Sequence, residues 1–272
     1  MKEYITMKLT MLGTGNATVT KCYNTCFVLE ENGKYLLVDG GGGNTILSRL
    51  EQAGINWKDI HDIFVTHKHL DHLMGIIWMV RMICQNMRQG KYEGEARIYA
   101  HKELIDIIYD ISCTLIQKKD TQYLGKQLKL IALEDKETRE IIDHRFTFFD
   151  IHSTKARQFG FTAELSENRK LTCCGDEPYN DSEKLYAIGS EWLLHEAFCL
   201  FSQADRFKPY EKHHSTVKDA CELAETLSVK NLILYHTEDK NIKDRKTLYL
   251  EEGKAFYHGN LYVPDDLESF EL

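Results

Sequence analysis

The stretch THKHLDHLMG, residues 66–75, places three histidines and an aspartate between positions 67 and 72, directly after the apolar run DIFVT. A strand through HDIFVT that ends at Thr66 would leave His67, His69, Asp71 and His72 in a strand-to-helix turn, where side chains can converge on one point. Imidazole nitrogen and carboxylate oxygen are the donors that Zn²⁺ and similar borderline metals take, and four such groups in so short a span can serve one ion or two. A solvated polar turn is the plainer reading of the stretch by itself. It does not account for His152 after RFTFFDI, Asp176 in CCGD, His195 in WLLHEA and His236 in NLILYH, each of which follows a largely apolar run. Such residues sit where buried strands leave a sheet, and these edges hold ligands rigidly while loops leave room for substrate. Each of the four alone reads as a structural histidine or a turn aspartate; together they point to a site.

Outward from the histidine stretch, the N-terminal part reads as strand YITMKLTML, the turn region GTGNATVTKCYN, strand TCFVLEE, the tight turn ENGK and strand KYLLVDG. The Asn-Gly pair suits a hairpin, because both central residues need positive φ. NTILSRLEQAG has apolar residues at helical spacing, with Asn44 as N-cap and Gly54 as stop, and IIWMVRMICQNMRQG is a helix closed by glycine. Strand ARIYA and helix KELIDIIYDISCTLIQ follow, then strands LKLIAL, RFTFFDI, FGFTAEL and KLTCCG. Strand EWLLHEAF, helix STVKDACELAETLSV, strand NLILYH, helix DRKTLYLEEGKAF and the segment LYVPDD close the chain. Strands grouped in each half with helices between them predict two β-sheets packed face to face with helices outside.

With 272 residues and 43% apolar composition, and no linker-like stretch, the chain reads as one domain over residues 1–272. MKEYITMKLTML lacks the basic region and apolar run of a signal peptide, and no apolar stretch approaches the ~20 residues that span a bilayer. A soluble cytoplasmic protein is expected. Several of the eight cysteines (Cys84, Cys113, Cys221) fall at apolar positions of helical patterns and read as small core residues, in keeping with a reducing compartment. Cys22 with Cys26 and Cys173 with Cys174 lack second pairs at zinc-finger spacing. The net charge of −8 argues against a general nucleic-acid coat, though not against a local basic patch.

HKHLDH at 67–72, with LGTG at 12–15, VDGGGG at 38–43, His152, Asp176 and His236 in LYHTED, resembles the metallo-β-lactamase superfamily of αββα sandwich hydrolases. The resemblance implies two divalent metal ions: His67, His69 and His152 binding one, Asp71, His72 and His236 the other, and Asp176 bridging them. Asp39 would support the metal loop without binding metal. Zinc is the first choice of ion, with manganese or iron also suited to such ligands. Within the superfamily, HEAF at 195–198 and HHSTVKDACELAETLSVKNLILYHTED are similar to the HEAT and HST segments of the ribonuclease Z group, and IHSTKARQFGF matches that group's third-histidine segment. That likeness implies a proton relay of Glu196 and His214, a homodimer, and phosphodiester substrates, with the 3′ trailer of precursor tRNA as a candidate.

Two departures stand out. His152 and Asp176 are 24 positions apart (176 − 152), where a typical bacterial ribonuclease Z inserts a long tRNA-gripping arm, and HEAF replaces HEAT. The extra segment lies instead near residues 85–125, without a basic Gly-rich clamp. In the implied mechanism, two metals about 3.5–4 Å apart carry a bridging hydroxide and neutralise a phosphoryl oxygen. Asp71 belongs to that centre, and protonated His214, held by Glu196, gives the leaving alkoxide its proton. HHST reads equally as an N-cap at Ser215 or Thr216 preceded by two exposed histidines. Arg206, Lys208 and Lys212 in RFKPYEKHH, interleaved with Phe207 and Tyr210, form a candidate substrate-binding stretch, and Lys155 and Arg157 also lie close in sequence to site residues. Isolated surface cations are the plainer reading of each. Two alternatives remain: a small-molecule phosphodiesterase, sulfatase or lactonase of the same fold, and a silent metal- or RNA-binding scaffold.

Overall fold

The computed structural model describes residues 7–166 and 168–272. The first sheet takes β1 (Lys8–Gly13), β2 (Cys26–Glu31), β3 (Lys34–Val38), β4 (Ile60–Phe64), β5 (Ala96–His101) and β6 (Leu128–Leu133). The second takes β7 (Thr138–Ile141), β8 (His144–Asp150), β9 (Phe159–Ser166), β10 (Arg169–Cys173), β11 (Trp192–Glu196), β12 (Asn231–Tyr235) and β13 (Asn260–Tyr262). The last strand, β14 (Ser269–Glu271), returns to pair with β1, so the spatial orders are β14-β1-β2-β3-β4-β5-β6 and β13-β12-β11-β10-β9-β8-β7. Against the first sheet lie α1 (Thr45–Gln52), α2 (Leu70–Arg88), α3 (Lys102–Leu115) and the single turn α4 (Lys118–Thr121). With the second sheet go two short turns, α5 (Lys184–Ala187) and α6 (Ala204–Phe207), and the longer α7 (Val217–Thr226) and α8 (Arg245–Gly253).

Successive apolar residues in CFVLEE, KYLLV and NLILY bury both faces of these strands, as a sheet covered on both sides requires. Alternation sorts them into layers. Leu9, Met11, Phe27, Leu36 and Val38 meet Phe146, Phe148, Phe161 and Leu194 between the sheets. Val28, Leu37, Ile63 and Ile98 turn outward to Ile76, Val80 and Ile83 of α2, while Leu193, Leu232 and Leu234 meet Val217, Ala220 and Ala224 of α7. Burying each Val, Leu or Phe completely contributes about 1.5–3 kcal/mol, so this sorting fixes the register of every inner strand. The expected αββα sandwich is the fold.

Strands β3, β4, β5 and β6 run parallel, as do β10, β11, β12 and β13, so the carboxyl ends of both parallel sets can frame one crevice. The Asn32-Gly33 turn has φ of 53° and 72°, as the hairpin signal predicts. Several boundaries differ from the sequence reading. The strand expected from Tyr4 begins at Lys8, and residues 4–6 lie outside the described residues. The second helix starts at Leu70 rather than near Ile76, with His69 at its N-cap, so Asp71 and His72 stand on its first turn. Asn44 occupies the N-cap of α1 but makes no side-chain capping bond, whereas Thr216 caps α7 through a reciprocal pair with Asp219. Cys113 faces solvent on α3, unlike buried Cys84 and Cys221. Strands β7 and β14 were not expected, because TREI and SFE are short, largely polar edge segments without an apolar run.

The glycine loop after β3 presses against the first turns of α2. Gly40 N–H donates to His72 O and Gly75 N–H to Gly41 O, both at 2.9 Å. A Cβ on Gly75 would stand 1.8 Å from Gly40 O, backbone that has nowhere to retreat. Gly75→Ala is therefore expected to lower the unfolding free energy by about 1–3 kcal/mol, the usual cost of overpacking, as measured by urea denaturation.

Candidate metal centre

Asp39 leaves β3 with φ of 57° and turns its buried carboxylate toward the neighbouring strand end. Its Oδ1 accepts from Thr66 N–H at 2.8 Å, and its Oδ2 accepts from Thr66 Oγ1 at 2.8 Å and faces His72 Nδ1 at 2.7 Å. Thr66 Oγ1 also lies 2.9 Å from His67 Nδ1. These contacts orient His67 and His72 so that each presents Nε2 inward, the supporting role that the resemblance implied for Asp39.

Two clusters result. His67, His69 and Asp176 bring one donor atom each within 4.8 Å of one another, and so do Asp71, His72 and His236. Asp176 Oδ2 stands 3.6 Å from His67 Nε2, 3.5 Å from His72 Nε2 and 3.4 Å from His236 Nε2. Asp71 Oδ2 completes the second group at 3.4 Å from His72 Nε2 and 3.5 Å from His236 Nε2. These separations are long for hydrogen bonds. Two ligands about 2.1 Å from a tetrahedral zinc lie about 3.4 Å apart, so the four separations linking Asp71 and Asp176 with His72 and His236 fit edges of such a shell. His72 Nε2 and Asp176 Oδ1 are buried without hydrogen-bond partners, as atoms reserved for a cation would be.

The charges suit the same occupant. Burial alone would raise the Asp176 carboxyl, but His67, His72 and His236 hold it well below the usual carboxylate range. Burial holds the His67 imidazole well below its ordinary value and lowers His69 in the same direction. Ionised carboxylate and neutral imidazole are the forms that ligate a metal. Burial would also lower His72, yet Asp71 and Asp39 push it the other way.

His152 does not join these groups. Its ring is 64% exposed and faces Asp150, with Nδ1 3.8 Å from Oδ1, while its backbone N–H donates to the same oxygen at 2.8 Å. Asp150 also accepts from Arg157 Nε at 3.0 Å. The left-handed turn at His152, φ 54°, is thus tied to the end of β8, and its ring lies outside both clusters in this structure. Glu177 anchors the far side of the turn, accepting from Ser153 Oγ at 2.8 Å and Thr154 N–H at 3.2 Å.

Glu196, fully buried at the end of β11, lies 3.4 Å from His214 Nδ1, and its other oxygen accepts from Ser215 N–H. With His236 the pair forms a third group of close donors. Burial pushes the Glu196 carboxyl up to about 8, and burial together with the Lys155 charge lowers His214 to about 4. Burial thus disfavours the charged form of both groups. Phe198, the residue that turns HEAT into HEAF, stacks on His214 at 4.9 Å and 6° between planes, and Lys212 Nζ lies 4.9 Å from the centre of the same Phe198 ring.

Lys155 reaches the same rim, donating to Lys212 O at 3.1 Å. The rest of the basic stretch is engaged elsewhere: Arg206 lies over Phe207 at 4.9 Å, and Lys208 faces Asp205 at 3.9 Å beside a separate groove that includes Tyr210. Thr66 and Glu177 escaped sequence reasoning because each acts through a partner distant in the chain or hidden by a strand end, and HEAF marks Phe198 without showing its stacking on His214. Among the described residues, no cysteine enters a metal-ligand cluster, and no helix is long and apolar enough to cross a membrane.

A model of the family described as Anti-Pycsar protein Apyc1 matches residues 7–255. The chain belongs to that family. It is also similar to ribonuclease Z of Ligilactobacillus salivarius, 25% identical over 320 aligned positions that cover 98% of this chain and 97% of the relative. Among solved structures, the metallo-β-lactamase fold protein YhfI from Bacillus subtilis superposes with a TM-score of 0.79 at 18% identity, over 98% of this chain and 100% of that one. The short form of human tRNase Z superposes with a TM-score of 0.72 at 21% identity, over 97% and 98%. This family member is a metallo-β-lactamase-superfamily hydrolase of ribonuclease Z type.

Zinc is expected to raise the melting temperature of metal-stripped protein, and ion at 100-fold above its dissociation constant corresponds to about 2.7 kcal/mol. Asp176→Asn, which weakens the oxygen common to both clusters, should lose most of that gain in a thermal-shift titration.

Proposed function

We propose that the chain is a dinuclear metal-dependent phosphodiesterase acting on a small phosphodiester. The observation that carries this reading is Asp176 Oδ2, within 3.6 Å of three imidazole nitrogens that belong to two donor clusters. His67, His69 and Asp176 would hold one divalent ion, and Asp71, His72, His236 and Asp176 the other, with zinc the ion best suited to this donor set. Bound there, such ions would ionise a water near neutral pH and offset charge on a phosphoryl oxygen.

The chain's own residues supply the remainder. Glu196 positions His214 through the 3.4 Å contact and Phe198 fixes the imidazole plane, so His214 can pass a proton from one ring nitrogen to the departing alkoxide while the Glu196 carboxyl replaces it at Nδ1. Lys155 and Lys212 bring positive charge to the rim, where a substrate phosphate would arrive. A small substrate is supported by the interval from His152 to Asp176, which is spent on a turn and the compact β9–β10 hairpin. It is supported further by the net charge of −8 and by the pairing of Lys208 with Asp205. Precursor tRNA is the second reading, favoured by similarity to ribonuclease Z along nearly the whole chain. The same reading takes residues 1–272 as one domain of a cytoplasmic homodimer; exposed Leu70 and Trp78 on α2 offer apolar contact area.

Turnover of a precursor tRNA and of a simple chromogenic phosphodiester, with metal content measured, separates the two substrates; cleavage of the RNA alone would sink the small-substrate reading. His214→Ala should reduce kcat by about 10²–10⁴-fold on a dialkyl phosphodiester, the usual range for a lost general acid. The loss should be much smaller on a p-nitrophenyl ester, whose leaving group needs no proton, and equal losses on both would remove the proton-transfer role.

A further inference from the structure

The backbone turn that delivers Asp176 is held from two sides. Gly175, the residue before it, takes φ of 79°, and the Tyr235 hydroxyl donates to its carbonyl oxygen. From the other side the Gln158 amide closes on it, so that a Cβ on Gly175 would stand 2.3 Å from Gln158 Nε2. Gln158 lies on the turn just before β9, only 1% exposed, and its Nε2 has no hydrogen-bond partner among the described residues. Asp176 Oδ1 is buried in the same condition. Both residues line one small cavity of ≈10 Å³, together with Gly175 and Tyr235. Other polar groups on its wall are engaged: Asp39 with Thr66 and His72, and the Thr25 hydroxyl with Gly15 O at 3.0 Å. His72 Nε2, also unpaired, faces Asp71 Oδ2 and Asp176 Oδ2 in the ligand cluster.

We propose that this cavity binds one water molecule that carries a hydrogen bond from Gln158 Nε2 to Asp176 Oδ1, which makes Gln158 a positioning residue for that carboxylate. The inference deepens the dinuclear reading and rests on Asp176 as the ligand common to both ions. Size selects the occupant: one water molecule requires ~10–15 Å³, and neither an organic group nor a hydrated ion fits. Polarity selects it too, because an apolar void stays dry whereas this one has a donor and an acceptor on its wall. Water there accepts from the amide and donates one hydrogen to Asp176 Oδ1. Its second hydrogen serves Tyr235 Oη, whose own hydrogen is spent on Gly175 O. Three bonds are the usual number for a buried water. Asp176 Oδ2 faces the imidazoles of His67, His72 and His236. Each carboxylate oxygen has two lone pairs, so Oδ1 can face a cation and accept from the water at once. Held in this way, the plane of the carboxylate is set before an ion arrives, as support behind a ligand requires.

A crystal structure of the zinc-loaded protein, at a resolution that shows ordered water, is the direct test. Water within about 2.7–3.2 Å of both Gln158 Nε2 and Asp176 Oδ1 is expected; a dry cavity, or water touching only one of the two atoms, overturns the proposal. Gln158→Met, which keeps the volume and removes the donor, tests the positioning role. Zinc affinity, measured by competition with a chelator, should fall about 10–100-fold, the usual loss when support behind a ligand is removed. The visible absorption bands of bound cobalt should shift as well, since they report the arrangement of the ligands. Unchanged zinc affinity overturns the positioning role, and so does a loss of affinity with the cobalt bands unmoved, which marks general loosening. If Gln158→Met does not fold, Gln158→Leu, smaller and equally without a donor, takes its place. Two zinc ions bound beside a dry cavity overturn the water link and leave the dinuclear reading standing. An unmodified protein that holds the water on both atoms yet binds no zinc supports the link and overturns that reading.

Discussion

One carboxylate, Asp39, organises the centre without being one of the proposed ligands. It takes two hydrogen bonds from Thr66, at its N–H and its hydroxyl, and faces His72 Nδ1, so the end of β3, the end of β4 and the start of α2 are joined at a single buried side chain. The neighbouring glycines let the same backbone close on α2 to hydrogen-bond distance. Aiming the imidazoles in this way costs conformational freedom that is spent during folding. A metal arriving later meets donors already facing inward, which is how support behind the ligands raises affinity.

The balance of charge follows from that arrangement. Two buried carboxylates, Asp71 and Asp176, stand among His67, His72 and His236 with separations too long for strong hydrogen bonds. A protein interior tolerates such a group only when a compensating charge is near, and a divalent cation provides more of it than protonated histidine can. Glu196 and His214 sit one step away, where burial disfavours charge on both, so neither cancels the attraction of the two carboxylates for a cation.

Much of this was legible in the chain. The doubled apolar runs of β2, β3, β11 and β12 announce strands covered on both faces, and HKHLDH with its distant strand-end partners announces the candidate ligands. Six of the seven expected ligands, His67, His69, Asp71, His72, Asp176 and His236, come together in the structure. His152 was indistinguishable from them in sequence, because the competing interaction, an Asp150 carboxylate two residues earlier that also binds Arg157, is a matter of side-chain direction in a turn. In the basic stretch 206–212, short turns set Arg206 beside Phe207 and Lys212 beside Phe198, a placement that the linear pattern does not fix. Strands β7 and β14 left little trace because edge segments of three or four residues need no apolar pattern.

Neighbouring residues of β11 face opposite layers, His195 toward the α7 side and Glu196 away from it. Their sides are set by the parallel pairing of Leu194 with Cys173 on one flank and Ile233 on the other. A slip of one residue along that strand would exchange the two faces. It would carry a carboxylate to the α7 side and an imidazole to the place opposite His214. Which of the two side chains meets His214 is in this sense written in one strand's pairing offset, and the two flanking strands are what keep it from being misread.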